Sequence, residues 1–247
     1  MTYVAVGIVL YFVWPTVQNG IYALGGLVTG TGYIGTLIFG IIKRALIPFG
    51  LHHLLYSPFY YDNVVVPGGL YAYWAKLLPQ IAASTASLKS FCPEAGFTAS
   101  GFAKMFGCLG AALAFYSTAK PEKKKKVFAL LLPITLTAIV CGVTEPIEFT
   151  FLFVAPMLFV VHAFLAATLA TTMWLAGIVG INSGGLIEIA SLNLIPLMRN
   201  HWQQYLLELV IGLIFTAIWF VVFRFLILKF DFKTPGPVSY THLRAHE

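Results

Sequence analysis

Two carboxylates stand inside an apolar stretch, Gly142-Val143-Thr144-Glu145-Pro146-Ile147-Glu148-Phe149-Thr150-Phe151. A charged side chain at membrane depth costs at least ~2.5 kcal/mol on insertion scales, so it needs a partner or a polar cavity. Pro146 works against a continuous helix at the same place. Broken backbone is tolerated at that depth only where protein or a water-filled cavity satisfies it. The combination points to a site for a hydroxyl-rich or cationic substrate. Pro146 places Glu145 in a loop or cap and Glu148 in the first turn of a following helix, on one face if the segment is helical. For Glu148 two readings stay open, a cap-like group holding that helix N-terminus and a member of the site. Glu145 is the better functional candidate. A carboxylate accepts hydrogen bonds from sugar hydroxyls, and beside a phosphoryl donor it serves as a general base.

Upstream, Lys43 and Arg44 interrupt another apolar pattern. They either snorkel to the interface or pair with a lipid phosphate, or Arg44 turns its planar fork into a cavity and donates to two sugar hydroxyls. Next comes Leu46-Ile47-Pro48-Phe49-Gly50-Leu51-His52-His53, where Pro and Gly end the helix and leave two histidines at its boundary. Adjacent helical residues point about 100° apart, so one histidine is expected to bind substrate and the other to pack. A zinc site would need three or four convergent ligands, which His52, Glu145 and Glu148 would supply only by coincidence. No metal and no cofactor is expected. His162 reads as a satisfied interior histidine, His201 and Glu208 as interfacial, and Glu188 lies in a short segment of its own.

The elements that position these residues follow from composition. The chain is 59% hydrophobic and 10% charged, against about 25% charged in an average soluble domain. So much apolar surface cannot be hidden in a soluble fold of 247 residues. The apolar runs are too long and too unalternating for barrel strands, so the fold class is an all-α polytopic membrane protein. The net charge of +6 gives no case for nucleic acid, because much of it sits in Lys120-Pro121-Glu122-Lys123-Lys124-Lys125-Lys126. That loop lies between apolar segments, and the positive-inside rule makes Lys123–Lys126 cytoplasmic. Cys92, Cys108 and Cys141 lack metal or disulfide spacing.

Spans are expected at about 3–28, with Pro15 near a kink or end, at 32–49, 97–118 and 127–143. The last of these runs into the Glu145 motif as a hairpin or re-entrant segment. Between 51 and 93 aromatics and small polar residues mix, and Tyr71, Tyr73, Trp74 and Lys76 suit a helix in the headgroup region. A long apolar stretch from Phe149 to Ile178 is broken by Pro156 and His162. The Asn182-Ser183-Gly184-Gly185 turn then precedes a piece, 186–197, too short to span, as in transporter hairpins. A final span covers about 204–228. Apolar sequence starts at Tyr3 with no basic region before it, which reads as an N-terminally truncated protein. Residues 236–247 break character and read as a non-native tail.

Two stretches, LIPFGLHH (46–53) and GVTEPIEFTFLFVAP (142–156), resemble the membrane (IIC) subunit of the glucose superfamily in the bacterial phosphoenolpyruvate-dependent sugar phosphotransferase system. GFAKMFGCLGAALAFY (101–116) resembles that family's segment between the two motifs. The maltose and α-glucoside branch fits slightly better than the glucose or N-acetylglucosamine branches. The resemblance covers about 1–235 and implies a homodimeric elevator-type sugar transporter in the bacterial inner membrane. It assigns 1–96 to the end of the scaffold, the substrate-contacting span and an interfacial helix, and 97–235 to the transport domain. It further implies that Arg44, His52 and Glu145 contact the sugar, maltose or another α-glucoside or glucose, with Glu145 nearest the hydroxyl to be phosphorylated. The phosphate would come from a cysteine on a IIB domain, fed by IIA and soluble phosphocarriers. This makes the chain the membrane subunit of a phosphotransferase, inactive alone, since no cysteine here suits the phosphocysteine role. An ion-coupled secondary transporter, with Glu145 as the proton or cation site, is the competing reading.

Overall fold

A computed structural model describes residues 2–234, so the expected tail at 236–247 lies outside the described residues. Among them the fold is helical, with no strand. Its helices are α1 (Thr2–Gly30), α2 (Tyr33–Ala45), α3 (His52–Tyr61), α4 (Gly69–Ala82), α5 (Leu88–Phe91), α6 (Cys108–Thr118), α7 (Lys124–Cys141), α8 (Glu145–Leu152), α9 (Pro156–Leu175), α10 (Leu186–Ile189) and α11 (Ile195–Phe230). A 3-10 run (Pro93–Gly101) and a π-helical turn (Ala103–Gly107) lead into α6.

Four helical stretches are long and apolar enough to cross a membrane: Thr2–Ala23, Pro93–Thr118, Pro156–Leu175 and Leu186–Phe230. Three match expected spans, although α1 passes through Pro15 as one helix. The expected span at 32–49 is shorter than anticipated. Its helix α2 has 13 residues, below the ~20 that a crossing needs, and stops inside the protein. The largest departure lies at the other end. Residues 186–197 are no separate short piece but open a 45-residue helical run to Phe230. A π-helical turn at Ala190–Leu194 joins α10 to α11, and the non-helical backbone of His201 marks a kink. His201 Nε2 lies 3.0 Å from the Ile81 carbonyl and Asn200 Nδ2 donates to the Ala82 carbonyl at 2.7 Å, so the kink is fastened to the end of α4. His201 is therefore buried in protein, not interfacial.

The aromatic helix α4 likewise turns inward. Lys76 is exposed, but Trp74 is buried and donates from Nε1 to the Leu192 carbonyl at 3.2 Å. With Leu70 and Ile81 it joins Phe39, Phe59 and Tyr60 in one core cluster. A second cluster, with Phe102, Phe115, Phe151, Trp219 and Phe223, is built on α6, α8, α9 and α11. Helices α2 and α9 meet where Gly40 lies against Ala167, and a Cβ there would stand 3.1 Å from the Ala167 Cα. Small residues allow such approach where no water drives helices together.

The irregular backbone after α9 is satisfied by side chains, as membrane depth requires. Asn193 accepts from the Ile181 N–H at 3.2 Å and donates to the Ile181 carbonyl at 2.7 Å. Thr98 Oγ1 accepts from the Asn182 N–H at 3.0 Å. Glu188 accepts from the Tyr71 hydroxyl at 2.7 Å and from the Ser183 hydroxyl at 3.1 Å, tying this turn to α4.

Candidate functional site

Three helix breaks meet around one cavity of about 220 Å³. At the first, Pro48 and Gly50 (φ 69°) end the α2 region just after Arg44 and restart the chain as α3 at His52. At the second, α7 ends on Gly142, whose φ of 76° belongs to the left-handed region that side chains disfavour. A Cβ on Gly142 would also stand 2.5 Å from the Gly185 nitrogen, so two glycine turns are packed back to back. The chain then enters α8 through Thr144, with Glu145 as its first residue and Pro146 just inside, where a missing N–H costs nothing. The third is the π-helical turn carrying Lys104.

Arg44, His52 and Glu145 all line this cavity, as do Lys43, His53, Tyr56 and Lys104. The carboxylates separate sharply. Glu148 is fully buried, and its Oε1 accepts from Arg44 Nη1. His162 Nε2 lies 3.3 Å from the same oxygen, and Trp219 Nε1 donates to His162 Nδ1 at 3.1 Å. Indole nitrogen is a donor only, so Nδ1 accepts and Nε2 carries the proton toward Glu148. Four side chains from α2, α8, α9 and α11 thus form one buried chain. His162 is the satisfied interior histidine the sequence indicated, and Glu148 is a buried structural hub.

Glu145 stays open. Its side chain is 37% exposed, and Oε1 lies 3.4 Å from His52 Nε2. The two histidines differ in burial, His52 being buried and His53 exposed. Both line the cavity, with ring centroids 4.2 Å apart, because it wraps around the first turn of α3. His53 Nδ1 lies 2.5 Å from the Tyr56 hydroxyl. The ligating atoms of His52, His53 and Glu145 lie within 4.8 Å of one another. This is a different trio from the one the sequence offered, since Glu148 is tied to Arg44. Lys43, Arg44 and Lys104 on the same walls oppose a divalent cation and favour a polar, partly anionic guest.

The three cations are held differently. Lys43 is buried and donates to Tyr60 Oη at 3.0 Å and Ser100 Oγ at 2.8 Å. Arg44 spends one donor on Glu148 and a second on the Ser100 carbonyl at 3.4 Å, so three of its five N–H groups remain. Lys104 went unnoticed in the sequence, although a lone lysine in the apolar run 97–118 was a signal of the kind that marked Lys43 and Arg44. Glu208 lies apart from the site, in an apolar cavity of about 580 Å³ between α11 and the elements around α6, and is buried there rather than interfacial.

Residues 1–167 match the family described as phosphotransferase system, EIIC. The chain is 52% identical over 233 residues to the maltose-specific EIICB component of Bacillus subtilis (strain 168), covering 94% of this chain and 44% of that protein. It is 54% identical over 224 residues to the α-glucoside-specific EIICB component of Leptotrichia buccalis, covering 91% and 42%. Against the phosphotransferase IIC component GlvC of Escherichia coli (strain K12) it is 48% identical over 175 residues, covering 71% and 48%. The chain spans less than half the length of these curated relatives. With its apolar membrane-length helices and this match over most of its length, the chain is an integral membrane protein and belongs to the phosphotransferase system EIIC family.

Proposed function

We propose that this chain is the sugar-binding part of a permease that takes up an α-glucoside, maltose or a glucose-type sugar and phosphorylates it on entry. The observation that carries the reading is the contrast within α8: Glu148 is consumed by Arg44 and His162, while Glu145 faces a cavity with His52 and three cations. The names of the relatives supply the substrate class. A volume of about 220 Å³ falls below the ~300–1,000 Å³ that encloses drug-sized ligands, and suits one pyranose ring better than two.

In this reading Glu145 accepts hydrogen bonds from the sugar and takes the proton of the hydroxyl that attacks phosphorus. His52 holds Glu145 in place and donates to a neighbouring hydroxyl. Arg44, fixed by Glu148, keeps donors for the sugar hydroxyls. The phosphoryl group arrives on a cysteine of a IIB partner, loaded by IIA, and the thiolate leaves as the sugar–phosphate bond forms. Positioning and electrostatics supply most of the acceleration in such transfers. The Lys123–Lys126 segment marks the cytoplasmic side, where IIB docks. Homodimerisation, and elevator movement of residues 97–235 against a scaffold that includes 1–96, complete the reading.

The test is uptake by membrane vesicles holding the intact protein. Accumulation of phosphorylated sugar that requires phosphoenolpyruvate and the soluble phosphocarriers is expected. Uptake of unmodified sugar driven by a proton gradient would instead make Glu145 the proton site of a secondary transporter.

A further inference from the structure

Among the described residues, Lys104 is the cation of the cavity that no hydrogen bond or ion pair holds. It sits on the π-helical turn Ala103–Gly107, a form frequent at functional sites, with Ala103, Met105 and Gly107 buried around it. The run Pro93–Thr118 that contains it is apolar enough to cross a membrane, so a lysine there carries a penalty of ~2.5–3.5 kcal/mol. The other two cations of the cavity recover that cost inside the protein. Lys43 bonds Tyr60 and Ser100, and Arg44 pairs with Glu148. Among the described residues Lys104 has neither a hydrogen bond nor an ion pair. Its simplest role would be counter-ion to Glu145, which lines the same cavity. The contact that Glu145 makes is with His52 instead, at 3.4 Å.

We propose that Lys104 is the group that meets the transferring phosphoryl, an assignment that rests on the phosphotransfer reading above. Bringing an anionic phosphoryl group beside the Glu145 carboxylate is repulsive, and an ammonium lining the same cavity offsets it. In the step, the sugar oxygen forms the bond to phosphorus and its proton passes to Glu145. The phosphorus–sulfur bond of the partner's phosphocysteine breaks, and sulfur leaves with the electron pair as thiolate. Lys104 keeps its proton throughout and donates to the phosphoryl oxygens, which carry the developing charge. In the resting site the same ammonium waits in a polar cavity, so its cost is recovered only when the anion arrives.

The experiment compares K104Q and K104R with the unaltered protein, each intact in vesicles with its phosphorylated IIB partner. Sugar affinity, affinity for the phosphorylated sugar and turnover are measured together. K104Q is expected to lower turnover on the order of 100-fold, as loss of one charge-stabilising donor does. It should also weaken binding of the phosphorylated sugar, while affinity for the free sugar stays within about twofold, below 0.5 kcal/mol. K104R keeps the charge and should recover part of the turnover. Unchanged turnover in K104Q would overturn the assignment. So would an equal loss of free-sugar affinity, which would make Lys104 a hydroxyl ligand. Failure of K104Q to fold would also overturn it, because it would reveal a protein partner that the geometry lacks. If the unaltered protein makes no phosphorylated sugar, the phosphotransfer reading itself fails.

Discussion

Glu145 and Glu148 begin the same short helix, yet they live in opposite surroundings. Glu148 is sealed among Arg44, His162 and Trp219, with no solvent exposure. Glu145, less than one turn away, is 37% exposed, with its Oε1 3.4 Å from His52 Nε2. A buried carboxylate must have its charge neutralised by fixed partners, and Glu148, sealed from solvent, does not line the cavity. An open carboxylate in a cavity keeps its lone pairs for a guest. The pair shows that charge at membrane depth is no site by itself, and that the buried member forms part of the frame beside which the open one lies.

The comparison is broken most severely by removing its frame. E148A leaves the Arg44 guanidinium buried and unpaired, and loss of one partner from such a pair costs ~3–5 kcal/mol. A large fall in the thermal unfolding temperature of the purified intact protein is expected, with sugar binding lost as well. H162F keeps the ring volume but strips the hydrogen bonds to Glu148 and Trp219, at ~1–3 kcal/mol for the buried groups left unmet. The same unfolding assay should place it between E148A and the unaltered protein. H52A acts on the open side. It should weaken sugar binding by about fivefold, the worth of one ~1 kcal/mol hydrogen bond, as read by calorimetric titration. E145A should move the unfolding temperature least, because partly exposed ion pairs contribute ~0–1 kcal/mol. An E145A protein as unstable as E148A would erase the distinction.

Much of this was legible in the sequence. The apolar runs and sparse charges fixed an all-helical membrane protein, and the Gly-Val-Thr-Glu-Pro break pointed to Glu145 as the open carboxylate. Arg44 and His52 share its cavity. What did not show was pairing across distance. Arg44 and Glu148 are separated by 104 positions, and His162 and Trp219 by 57, so local periodicity carries no trace of either contact. The misplaced boundary near 197 has a local cause. Pro196 falls in the first turn of α11, where helices accept it, so the chain runs on from there to Phe230. The shortness of α2 was hidden because its apolar pattern continues past Pro48 without a polar boundary.

The central claim is that Glu145 does chemistry while Glu148 does architecture, and E145Q tests it most directly. The side-chain volume is kept and only the base is removed. Phosphorylated sugar formed per sugar-binding site should fall on the order of 100-fold or more in E145Q vesicles, with binding sites and fold retained. Equal turnover per site would contradict the account.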